Sequence, residues 1–306
     1  MAYQYLTMLD VSKINGSDAA VGLIEENLIV APEAAMFPAR TIAGTSFKTL
    51  IRSALPTSQF RNVNEGVEPT KSTYINKLVE TFYLDQQMEL DVAAAQGDEL
   101  GEAHAQMTEA DGHGRAALQK IGAQVWYGTG SGGDAKGFPG AVAVVDSAFV
   151  TDAGGTTANT GSSVYGVKLG TKFCELIFGR NTVLNVGQWR QQTITRASKE
   201  MTAWKNSLEG WIGASWVNKN ALCRIKKLTA DSGKGLTDTL LGKAISILPV
   251  GYDPDYWFMT KRSREQLRAS RTATNPTGAP APLPTDAFGI PIIITDSLLN
   301  IESLSL

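Results

Sequence analysis

Two cysteines and two histidines in 306 residues leave little material for redox or metal chemistry. Cys174 and Cys223 make neither a disulfide framework nor a metal quartet, and read as small buried apolar side chains. His104 and His113 do not fall one turn apart on a helix and have no third ligand nearby, so no metal and no cofactor is expected. Basic charge is not in excess: 28 Lys and Arg against 30 Asp and Glu give a net charge of −2, which argues against a dedicated phosphate-gripping protein. Contact with nucleic acid should be weak and unspecific. No apolar run approaches the span of a bilayer. Met1-Ala2-Tyr3-Gln4 lacks the basic start and apolar core of a secretory signal, so the chain is expected to stay where it is made, with its thiols reduced. In that compartment Asn15-Gly16-Ser17 is an empty match to a glycosylation acceptor. Catalytic signatures are missing too. There is no Gly-x-Ser-x-Gly elbow, Lys136 is followed by Gly137 and Phe138 where a P-loop needs Ser or Thr, and Gly233-Lys234-Gly235 fails the same test.

What is present is an ordinary folded composition, 43 % hydrophobic and 19 % charged, long enough for two lobes. The chain is organised around residues 98–137. Leu100, Ala103, Met107, Ala110, Gly114, Leu118, Ile121 and Val125 recur at three- and four-residue steps, with Glu102, Gln106, Glu109, Arg115 and Gln119 off the stripe. The spacing predicts one amphipathic helix, about 40 Å long at ~1.5 Å per residue. Gly112 and Gly114 each cost about 1 kcal/mol against Ala in its interior and mark a kink or a close contact. A glycine-dense turn, residues 128–137, ends the helix.

Before this beam, residues 1–43 mix short apolar runs such as Ala20-Val21-Gly22-Leu23-Ile24 with turn residues and hold no period, which predicts an extended arm ordered by a partner surface. The Glu25-Glu26 pair reads as a solvated face. Residues 45–52 and 72–85 favour strands around a polar tip at 56–69, the pattern of a long projecting hairpin; an isolated hairpin is marginal in water and needs something to lie on. After the helix, residues 141–145 open a second lobe, and 154–161 form a surface loop. Residues 183–217 carry Trp189, Trp204, Trp211 and Trp216 among short β segments, a density that signals core or interface packing. Residues 221–228 alternate as a strand with a partly solvated face. Thr237 or Asp238 caps a helix buried through Leu240, Leu241, Ala244, Ile245 and Leu248 and ended by Pro249. Residues 256–259 read as a buried strand, Ser263 with Gln266 as a capping box opening a short helix, residues 274–288 as a loop, and 289–295 as a final strand whose Pro291 suits its start or an edge.

This order of elements, with Gly137-Phe138-Pro139-Gly140 after the helix and Phe288-Gly289-Ile290-Pro291-Ile292 near the end, resembles the major capsid proteins of tailed bacteriophages, an α+β class known as the Hong Kong 97-type fold. The resemblance implies an N-terminal arm at 1–43, an extended hairpin loop at 44–74, a peripheral domain with a spine helix at 75–139, an axial domain at 140–271, and a return segment with the final strand at 272–306. It implies a structural protein, not an enzyme, that assembles with itself into the pentamers and hexamers of an icosahedral head around double-stranded DNA, built in the host bacterial cytoplasm and residing in the virion. Phe47, Arg52, Phe60, Arg61, Glu65, Glu68, Lys71 and Arg115 are the residues assigned to inter-subunit contacts. Arm and hairpin then become heterologous contacts that rotation closes into rings. The chain starts almost at once with the arm, which implies a separate scaffolding protein; a portal and a decoration protein complete the partners. Some members of the family cross-link subunits through Lys–Asn isopeptide bonds, but no motif here identifies an acceptor for Lys48 or Lys71, which read as solvated. The competing reading is a cytoplasmic enzyme or ligand-binding protein that uses residues 128–137 as its loop. A decoration or tail-tube protein fits less well, because of the long helix.

Overall fold

In the computed structural model the described residues are 8–15, 29–196, 198–275 and 278–305. Two six-stranded sheets and one long helix carry the architecture. The apolar run at 20–24, the Glu25-Glu26 pair and Gly16-Ser17 lie outside the described residues. Of the stretch read as an arm, Met8–Ile14 is helical, and Asn15 bonds the Gly97 carbonyl (2.6 Å) and accepts from the Glu99 amide (2.9 Å).

The first sheet is built on an 18-residue strand, Lys199–Trp216, where short segments were expected. Its inner half pairs antiparallel with Phe82–Asp91 on one edge and Arg190–Arg196 on the other; its outer half pairs with Cys174–Phe178, to which Ala39–Thr41 adds in parallel. The pairing with Phe82–Asp91 reaches across the boundary drawn at residue 139, tying the stretch just before the long helix to the tryptophan-rich segment. Trp216 lies in the core, Trp189 and Trp204 flank the helix side, and Trp211 packs at a tilt against Tyr83, 5.2 Å between centroids. The second sheet runs Asp286–Ala287, Ile290–Ile294, Tyr256–Met259, Ser162–Val167, Leu222–Leu228, Val150–Asp152.

The long helix spans Glu102–Tyr127, 26 unbroken residues. Asp98 seeds it, accepting from the Leu100 amide (2.8 Å) and His104 Nδ1 (2.9 Å). Burial opposes the charge on Asp98, but these bonds outweigh it and hold the carboxyl below its ordinary 3.8. The expected buried stripe holds only for the last turns. Leu100, Met107 and Leu118 stand 71 %, 68 % and 46 % exposed, whereas Ala105 packs on Leu90 of the sheet and Ala95 of the short helix Val92–Gln96, and Ala117 on Met88 and Leu208 of the sheet. Small residues let the helix approach the sheet closely along its first four turns, so the larger side chains turn outward. A Cβ at Gly112 or Gly114 would meet no atom within 4 Å, and the helix continues unbroken through both. Gly112→Ala and Gly114→Ala are therefore expected to stabilise the free subunit, by up to about 1 kcal/mol each. Urea unfolding of the unassembled chain checks this, and a loss of stability would mean that the backbone there needs glycine.

The last helical turns enter the main core, where Trp126 stacks on Tyr165 (4.8 Å between centroids) and packs near Phe258 and Phe37. This aromatic cluster joins the two sheets. Three local readings change. Thr260, not Ser263, caps the helix Lys261–Ala273, accepting from the Ser263 amide. The strand Leu222–Leu228 has no broad solvated face, because Arg224 is buried among partners. Residues 141–145 begin with a single helical turn, Ala141–Val144. Thr237 caps Asp238–Ser246 as expected. The Phe288-Gly289 signature is a tight turn: both residues have positive φ (56° and 76°), the geometry of a two-residue hairpin loop, joining Asp286–Ala287 to Ile290–Ile294.

Candidate subunit-contact surface

The hairpin comprises Ser46–Ala54 and Thr73–Glu80 in antiparallel register, Phe47 opposite Val79 and Arg52 opposite Tyr74. Its base is fixed. Val79 is buried with Ile42, Ile177 and Val217, Phe47 packs on that cluster under the Arg40 guanidinium (4.6 Å to the ring), and Thr81 donates to the Thr45 carbonyl from both its amide and its hydroxyl. Its tip is bare. Residues 52–71 are all exposed, and Phe60 shows 108 % of its reference surface, with Leu55 and Val63 also uncovered. The tip is nevertheless organised: Thr57 and Thr70 clasp each other across it (2.9 and 3.0 Å), Arg61 donates to the Glu65 carbonyl (2.8 Å), the Glu65 carboxylate accepts from the Asn62 amide (3.2 Å), and Asn64 turns with φ 69°.

The structure therefore gathers Phe60, Arg61, Glu65, Glu68 and Lys71 on the exposed tip and sets Arg52 on the hairpin stem, against the Tyr74 hydroxyl (3.2 Å). Phe47 is instead a half-buried anchor of the base. Arg115 sits on the long helix, paired with Asp111 at 2.9 Å.

Two buried carboxyls, invisible in any local pattern because their partners lie far along the chain, fasten the ends of the described chain to the last turn of the long helix. Glu33 accepts from Trp126 Nε1 (2.6 Å), Thr295 Oγ1 (2.5 Å) and Ser297 Oγ (3.1 Å). Glu302 accepts from the Tyr127 hydroxyl (2.6 Å) and Ser163 Oγ (2.5 Å), with Arg224 at 3.5 Å. Burial raises Glu33 above its ordinary 4.5, its hydrogen bonds only partly opposing this. A group with a raised folded pKa favours the fold below its unfolded pKa and loses that contribution as pH rises through the folded one. The stability difference between the natural chain and Glu33→Gln is thus expected to shift in favour of the variant as pH climbs above about 4.5. Chemical denaturation at a series of pH values reads the difference directly; a flat difference counts against it.

The glycine segment is knitted to itself. Gln124 donates to the carbonyls of Asp134 (3.1 Å) and Phe138 (2.7 Å) and accepts from the Asp134 amide (2.8 Å), while the amides of Gly130, Gly133, Lys136 and Gly137 bond within the turn. A Cβ at Gly128 would strike the Gly140 backbone, and one at Gly133 the Gly128 carbonyl. Glycine is required there for close backbone packing, and the amides of Gly128, Gly130, Gly133, Asp134, Lys136 and Gly137 are engaged within the protein. His104 is held by Asp98 and His113 by Gln86 (2.8 Å). Both cysteines are buried, which pushes the Cys223 thiol up to about 12 and Cys174 higher still.

Comparison with known proteins gives one consistent answer. A family model described as major capsid protein GP7 matches residues 32–304. A chain in the structure of bacteriophage Epsilon15 is similar over 99 % of this chain and 98 % of its own, at TM-score 0.73 and 18 % identity. A chain of the bacteriophage JBD30 capsid covers 97 % and 95 % at TM-score 0.53 and 11 % identity, and one of the JBD30 capsid decorated with minor capsid protein trimers covers 98 % and 96 % at 0.51 and 12 %. No curated protein matches the sequence.

Proposed function

The chain belongs to the major capsid protein GP7 family, with the Hong Kong 97-type fold, and from that premise we propose how it builds a shell. It is a structural protein of the icosahedral phage head and part of the virion. The observation that carries the proposal is the hairpin: its base is anchored in the body, while residues 52–71 are exposed and offer Phe60 and other apolar side chains to nothing in their own subunit. Such a surface fits a neighbour, and a contact of this kind between unlike faces closes into rings of five and six. Many moderate contacts acting together then make the shell far more durable than any pair.

Residues 1–43 serve as the arm, 44–74 as the extended loop, 75–139 as the peripheral domain, 140–271 as the axial domain whose tips meet at the ring centres, and 272–306 as the segment joining the domains. The long strand Lys199–Trp216, paired with Phe82–Asp91, ties the peripheral domain to the axial domain. Assembly takes place in the host bacterial cytoplasm around a separate scaffolding protein and a portal, with a decoration protein added outside; packaged DNA is touched weakly, as suits a net charge of −2. Negative-stain electron microscopy of the protein expressed alone and with its neighbouring head genes tests this. Closed shells, or rings of five and six, are expected; uniform monomers or dimers in both preparations overturn it.

A further inference from the structure

A cleft of about 830 Å³ opens between the hairpin stem and the loops at 171–172, 217–220 and Tyr252. Its apolar wall includes Leu50 and Ile75, both more than half exposed. Four cations line it, Arg52, Lys77, Lys172 and Lys219, and no carboxylate does. Two are partly engaged: Lys77 donates to the Trp216 carbonyl (2.5 Å) and Lys219 pairs with Asp146 at 3.4 Å. Arg52 leans on Tyr74, and Lys172 has no ion-pair partner among the described residues. A cleft with an apolar wall and uncompensated positive charge is built for an anionic surface with some apolar area.

The same chain displays one. On the first sheet, Asp85 and Glu209 stand directly opposite each other across antiparallel strands. Like charges in that position destabilise a sheet. Neither has a cationic partner among the described residues; Asp85 accepts only from Gln87 (2.6 Å) and Glu209 from the Tyr83 hydroxyl (2.5 Å). Tyr83, 48 % exposed and tilted against the Trp211 ring, adds the apolar part, and its hydroxyl is pushed up to about 12, chiefly by the bond to Glu209, with the charge of Asp85 adding to it. The free subunit thus carries a cation-lined cleft without anions and a carboxylate pair that forms no ion pair among the described residues, although Arg190 and Lys205 stand in the same depression as Glu209.

We propose that the cleft of one subunit receives the sheet face of its neighbour that carries Asp85 and Glu209, setting the register of the ring. This rests on the shell reading above. The occupant is a second copy because both halves of the complementarity are present on this sequence, and unlike faces joined this way generate a ring. Long-range attraction between them also speeds encounter and selects the right neighbour.

Charge exchange tests it, with assembly followed by light scattering and electron microscopy of the full chain supplied with its head genes. Arg52→Glu with Lys172→Glu, and separately Asp85→Lys with Glu209→Lys, are each expected to lower shell yield at least tenfold, and all four changes in one chain to restore it to within a few-fold. A four-fold variant no better than its parents, or parents that assemble normally, overturns the proposal. If the natural chain itself makes no shells, the shell reading falls first and takes this one with it. Thermal unfolding of each variant separates misfolding from lost contact. Should the Glu209 change disturb the sheet, Asp85→Lys alone and the neutral pair Arg52→Gln with Lys172→Gln replace the reversals: each should weaken assembly, and the neutral pair should flatten its dependence on salt. Unchanged salt dependence counts against the contact.

Discussion

A chain from which residues 57–69 are excised is expected to fold and to build no shells. The two results separate because the tip adds nothing to its own subunit: residues 52–71 are exposed, and the hairpin is held from its base by Val79, Phe47 and Thr81. Shortening an exposed loop costs the fold little and slightly lowers the entropy of closing it, so stability should stay within about 1 kcal/mol of the natural chain. The loss of assembly is larger than any single contact suggests. An aromatic anchor such as Phe60 is worth about 2 kcal/mol or more when seated in a partner's pocket, and each subunit loses that at every neighbour. Phe60→Ala is the finer version and should weaken assembly without ending it. Size-exclusion chromatography with electron microscopy reads assembly, and circular dichroism reads the fold; shells of normal yield from the shortened chain would remove the hairpin from the mechanism.

Arg224→Ala is expected to give the largest loss of stability of any single change considered, about 3–5 kcal/mol, since breaking one side of a buried pair leaves the other charge without compensation. Here the orphaned group is Glu302, and the Ser163 hydroxyl, which Arg224 holds through both Nε (3.1 Å) and Nη2 (2.9 Å), loses its orientation as well. The thermal midpoint should fall on the order of 10 °C. Arg224→Met combined with Glu302→Gln should recover part of this, because the pair is neutral and the amide still accepts from Tyr127. A midpoint shift of a degree or two for Arg224→Ala would show that the cluster carries little of the stability.

The two predictions draw on parts of the chain that differ in how far they were legible in advance. The hairpin could be read because its strands are β-rich and its tip polar, both local properties, and the helix because small and apolar residues recur at helical steps up to a glycine-dense turn. The buried stripe of the helix misled at Leu100, Met107 and Leu118: periodicity reports an apolar face but not whether the face looks inward, and close packing through Ala105 and Ala117 left the large side chains outside. Lys199–Trp216 was broken into short pieces because its many polar residues lie among buried ones, and its pairing with Phe82–Asp91 is a long-range property. Among contact residues, Phe47 looked like its neighbours in composition but serves the base, since only tertiary packing distinguishes a stem residue from a tip residue. Glu33 and Glu302 gave no sign. A buried carboxyl is recognisable only by its donors, and these lie 93 residues away at Trp126 and 175 residues away at Tyr127.

That both carboxyls end on consecutive residues has a mechanical consequence. In a shell under internal pressure, tension reaches a subunit through its extremities. Glu33 secures the segment leading from the N-terminus and Glu302 the one leading to the C-terminus, and both are moored to Trp126 and Tyr127 on a single helical turn. A pull on the chain at Glu33 or at Glu302 is therefore delivered to the same helical turn, where Trp126 stacked on Tyr165 braces the helix against the second sheet. The subunit would stretch at its contacts before it yields inside.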